Sequence, residues 1–70
     1  MRKELLASLR EKYPVGLRVE LVQMGDDPNP LPEGSKGTVM VVDDIGTIHV
    51  KWDCGSTLGV VYGVDSCRAI

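Results

Sequence analysis

A mainly β fold is predicted, a small five-stranded barrel preceded by one N-terminal α-helix. Three observations predict it. Apolar residues recur at helical spacing only as far as Tyr13. From Gly16 onward the period is two, and glycines, prolines and paired acids punctuate the rest at intervals too short for helices. The 70 residues allow one domain, read as a helix over 1–13 and a barrel over 14–70. A chain of this size buries only about 60% of the surface it exposes when unfolded, so the core is thin.

In the helix, Leu5, Leu6, Leu9 and Tyr13 share one face, with Lys3, Ser8, Arg10 and Lys12 largely elsewhere. Arg10 and Lys12 suit the negative end of the helix dipole. Pro14 stops the helix, because its ring pushes Tyr13 out of the α region. About eleven residues is marginal for a helix alone in water, so this one needs a surface to pack on. An ordinary leucine stripe points to closure of the chain's own core. The alternative is a docking or dimer helix, which would make the chain a homodimer or a structural accessory subunit.

The first strand is "LRVELVQM" (17–24), with Leu17, Val19 and Leu21 inward and Arg18 and Glu20 outward. "GDDPNPLPEGSKG" (25–37) follows, with three prolines and three glycines that no regular element tolerates. Loops of this length in small domains are often functional. "GTVMVVD" (37–43) is the second strand and "DIG" (44–46) a turn. In the third, "TIHVKWD" (47–53), Ile48, Val50 and Trp52 share the inner face and His49 and Lys51 the outer. "STLGVVY" (56–62) is the fourth strand, "GVDS" (63–66) a turn and "CRAI" (67–70) the last. Gly34 and Gly37 bracket the return from the long loop into the sheet.

Trp52, Asp53, Cys54 and Gly55 resemble a reactive cluster, but the spacing reads as a hairpin. A three-residue loop ending in a left-handed glycine gives Gly55 its role, and Asp53 fits the first corner. Cys54 then sits exposed at the tip with no cation beside it to favour a thiolate. His49, back along the same strand, is the only candidate base and lies beyond hydrogen-bond reach of that thiol. Trp52 is the expected core aromatic, His49 a solvated strand residue without a partner, and Cys67 a small hydrophobe. Two cysteines and one histidine without ligand spacing predict no structural metal. The acid pairs Asp26–Asp27 and Asp43–Asp44 are read as solvated turn residues, lacking the spacing of a calcium loop.

No catalytic triad or phosphate-cradling glycine loop is present, so a non-enzymatic domain without a cofactor is expected. No apolar run is long enough to cross a bilayer as a helix, and no secretory signal is read. The expected compartment is the cytoplasm, where both thiols stay reduced. The net charge of −2 is uneven. Up to Tyr13 it is +2, and beyond Tyr13 it is −4, which repels phosphate.

"YPVGLRVELVQM", "LPEGSKGTVMVVDDIGTIHVKWDCGSTLGVV" and "GVDSCRAI" resemble domain-of-unknown-function family 4314, a family of short bacterial and phage proteins. The likeness runs from about Leu9 to the C-terminus. Its most specific elements are "GSKGTV" (34–39), "DDIGTIHVKWD" (43–53) and "GVDS" (63–66). The resemblance implies an SH3-like barrel and no particular activity. Such families usually carry Asp-Asn-Gly at the hairpin tip, where this chain has Cys54 in place of the asparagine.

The expected function is a small binding module for a protein or peptide. In an SH3-like barrel the long loop, the "DDIG" turn and the segment before the last strand come together. That would gather Met24, Asp26, Asp27, Asp44 and Tyr62 into an acidic rim suited to a basic partner. An aromatic content of 4% is poor for a proline-peptide groove. The alternative is a nucleic-acid-binding barrel using Arg18, Lys36, Lys51 and His49 as a basic face.

Overall fold

A computed structural model describes residues 2–25 and 30–70. One helix and five antiparallel strands form a single sheet: α1 (Lys3–Lys12), β1 (Arg18–Gln23), β2 (Lys36–Val42), β3 (Thr47–Trp52), β4 (Gly59–Val61) and β5 (Ser66–Ala69). The spatial order is β4-β3-β2-β1-β5. The alternating pattern of β1 sends Val19 and Leu21 into the core and Arg18 and Glu20 to the other face. Trp52 is 1% exposed and joins Val19, Leu21, Val39, Val50 and Val60 as the most completely buried side chains. Its indole N–H donates to the Leu58 carbonyl at 2.8 Å, so the ring's polar edge is satisfied.

The helix closes this core. Leu9 and Tyr13 are buried with the sheet residues, and Leu6 packs against them. The Tyr13 hydroxyl donates to the Cys67 carbonyl on β5 at 3.2 Å. The Tyr13 N–H, held by the Leu9 carbonyl at 2.8 Å, completes the last turn before Pro14. At the other end of the packing, Arg10 Nε donates to the Val42 carbonyl of β2. The C-terminal part of the apolar face of α1 is therefore buried in its own domain.

The expected closed barrel is not formed. β4 and β5 are the two edges of the sheet, and the one bridge between their flanks joins Tyr62 to Asp65. The backbone groups that a β4–β5 ladder would use have other partners. The Val61 carbonyl accepts the N–H groups of Val64 and Asp65, and the Val61 N–H donates to the Asp65 carboxylate. The Cys67 carbonyl is held by Tyr13.

The fourth strand is also shorter than the expected 56–62. Residues 56–58 are held by local bonds instead: the Trp52 indole takes the Leu58 carbonyl, and the Ser56 hydroxyl accepts the Leu58 N–H. The hairpin tip matches its reading. Gly55 adopts φ +96, its N–H reaches the Trp52 carbonyl at 2.9 Å, and Cys54 is exposed. In β2 a bulge between Val39 and Val41 lets Val39 and Val42 both face inward although they are three positions apart.

Candidate functional site

A solvent-open cleft of about 550 Å³ lies between the C-terminal end of α1 and the β4–β5 turn. Leu9, Lys12 and Tyr13 form the helix side. Ile48, Val60 and Cys67 bring core residues of three strands to its floor. Tyr62, Gly63 and Val64 form the opposite wall, and Gln23, Asp65 and Ser66 supply polar groups. Tyr62 and Val64 are about half exposed, at 49% and 46%, so an occupant would bury aromatic and aliphatic surface together.

Asp65 assembles this wall. One carboxylate oxygen accepts the Gly25 N–H at 2.6 Å and the other the Val61 N–H at 3.0 Å. The start of the long loop, the end of β4 and the turn into β5 are thus tied to one side chain. Gly25 is tightly placed, since a Cβ there would lie 2.8 Å from the Val64 carbonyl oxygen. Gly63 gives the turn its positive φ, +86. Burial lifts the Tyr13 hydroxyl above its ordinary pKa, and the nearby Cys67 adds to the shift. Burial likewise raises the Cys67 thiol, with Tyr13 and Lys12 acting in the opposite direction. Neither group is poised as a nucleophile.

The expected surface is brought together only in part. Tyr62 lines the cleft, whereas Met24 does not and is partly buried against the core. Asp44 belongs to the β2–β3 turn and does not line the cleft. Its carboxylate pairs with Arg10 at 2.8 Å, which offsets its charge. Asp26 and Asp27 lie outside the described residues. Lys12, Gln23, Val64 and Asp65 were not anticipated, because their proximity comes from the helix folding back over the sheet. The acid two residues beyond Gly63 was the one available sign, as aspartate often bonds backbone within its own turn.

The alternative basic face is assembled by register and then largely neutralised. Arg18 opposes Thr38, and Thr38 opposes Lys51, so three strands present one row. Arg18 clamps the Asp53 carboxylate through two hydrogen bonds, at 2.8 and 2.6 Å. That bond holds the Asp53 carboxyl below its ordinary pKa. Arg68 likewise grips Glu20, the residue opposite Lys36. His49, expected to stand without a partner, places Nε2 2.9 Å from Asp43 Oδ2.

Among the described residues, no cluster of three or more His, Cys, Asp or Glu side chains is placed to hold a metal ion. Among the same residues, no helix is long and apolar enough to cross a membrane. The family model described as Domain of unknown function (DUF4314) matches residues 2–70, nearly the whole sequence. The chain belongs to that family. No curated protein and no solved structure matches it.

Proposed function

We propose that this domain is a non-catalytic cytoplasmic binding module that takes a peptide segment of another protein in the cleft between α1 and the β4–β5 turn. The observation that carries the reading is Tyr62, half exposed above an apolar floor in an open cleft whose walls are fixed by Asp65. A rigid aromatic beside preformed apolar surface is the arrangement that concentrates binding energy in interfaces. The cleft's volume is in the range of sites that enclose a few side chains. Both cysteines are free thiols, which supports the compartment.

Two other readings are less well supported. Arg18 and Arg68 are committed to carboxylates, leaving Lys36 and Lys51 to attract phosphate. Leu9 and Tyr13 of α1 are buried in its own core and Leu6 packs against them, which leaves less apolar helix surface for a dimer.

Selection from a displayed random-peptide library, followed by mapping of backbone amide shifts, tests the proposal. A selected peptide is expected to move the amides of Lys12, Gln23, Tyr62 and Val64. Tyr62→Ala is expected to weaken it by about 2 kcal/mol or more. Shifts confined to the face of Arg18, Lys36 and Lys51 would reject the cleft.

A further inference from the structure

The charges around the cleft select its occupant. Its carboxylate, Asp65, already accepts two backbone N–H groups, from Gly25 and Val61. Its cation, Lys12, is in no ion pair among the described residues. The ammonium lies 5.5 Å from the centre of the Tyr13 ring, at the α1 end of the cleft. Leu9, Ile48 and Val60 line the cleft as nearly buried core residues, and Tyr62 and Val64 supply its exposed apolar surface. At the α1 end a cationic group would be repelled by Lys12, whereas an anion held away from Asp65 would gain a charge-assisted partner.

Resting on the peptide-binding reading above, we infer that the cleft takes the C-terminal end of a polypeptide, with the terminal carboxylate at Lys12 and an aliphatic last side chain over the apolar floor. An aliphatic C-terminal residue carries a carboxylate and an apolar side chain on the same Cα. Both therefore fit one small cleft, which an internal glutamate or aspartate would not achieve. Gln23 and Ser66 stand on the β1–β5 side and offer partners to the final peptide unit.

An acetylated hexapeptide ending in valine–leucine, prepared as the free acid and as the C-terminal amide, tests this by amide-shift titration of the full chain. The free acid is expected to shift Lys12, Tyr62, Val64 and Ser66. The amide is expected to bind about tenfold more weakly, a difference of about 1.4 kcal/mol. Lys12→Gln should remove that difference and Lys12→Arg keep it. Lys12 is exposed, so both variants should retain the wild-type spectrum elsewhere. Equal binding of acid and amide at the cleft overturns the carboxylate inference and leaves the cleft as a peptide site. No shift from either peptide also overturns it, and the library-selected peptides then judge the cleft by themselves.

Discussion

Asp43 holds the β2–β3 turn through both carboxylate oxygens. Oδ1 accepts the N–H groups of Ile45 and Thr47, at 3.1 and 2.8 Å, while Oδ2 faces His49. The His49 bond first, and then the backbone bonds, hold its carboxyl below the ordinary carboxylate range. A carboxyl whose pKa is depressed on folding contributes stability above its unfolded pKa and loses it as pH falls through the folded value. Asp43→Asn is therefore expected to melt below wild type near neutral pH, with the gap narrowing as the pH falls below the ordinary carboxylate range. Circular-dichroism melts at neutral and acid pH check this, and a gap that ignores pH would assign the effect to shape alone. Gly37 constrains the structure differently. Its place at the end of the long loop suggests a bend, yet its φ is not positive. A Cβ there would meet Val50 Cγ1 at 2.6 Å, the Lys51 carbonyl oxygen at 2.8 Å and Trp52 Cε3 at 2.9 Å. Close approach of β2 to β3 requires the glycine. Gly37→Ala is expected to cost about 1–3 kcal/mol, read from urea midpoints.

At the scale of elements, α1 contributes to the core as well as capping it. Leu9 is 5% exposed, and Leu9→Ala is expected to cost about 2–5 kcal/mol. Tyr13→Phe removes only the hydroxyl bond to Cys67 and should cost about 0.5–1.5 kcal/mol; a larger loss in denaturant titration would point to ring repacking. Helix and strands were legible because periodicity reports which face is buried. The leucine stripe, the inward Val19 and Leu21, and the Ile48–Val50–Trp52 row all sit where alternation places them. Where a side chain bonds distant backbone, periodicity is silent. The Trp52 indole shortens β4 by taking the Leu58 carbonyl, and Asp65 occupies the outer edge of β4. For the same reason the exposure of Tyr62 was legible, while the placement of Lys12 and Asp65 around the cleft was not. Their meeting depends on how α1 and the β4–β5 turn pack, which no local pattern encodes. Asp44 was misplaced because its partner, Arg10, is 34 positions away in the chain.

For the whole molecule, two tests follow from the distribution of burial. Cys54 is exposed and Cys67 buried, with the Cys67 thiol raised by that burial. A thiol-reactive probe is expected to label one cysteine in the folded protein and two in denaturant, counted by mass spectrometry. Rapid double labelling without denaturant would mean that the probe reaches Cys67 through the cleft or by opening of β5. Residues 14–70 alone lack Leu9 and Tyr13, both members of the one hydrophobic core. That fragment is expected to give a poorly dispersed amide spectrum, because so small a domain has little stability to lose. The placement of Trp52 has a further use. As the sole indole of the chain, sealed at the centre of the core and hydrogen-bonded to Leu58, it makes the protein its own optical reporter. Its emission should shift to longer wavelength only when water reaches the interior, so one colour change follows global unfolding while events at the cleft rim leave the emission unchanged.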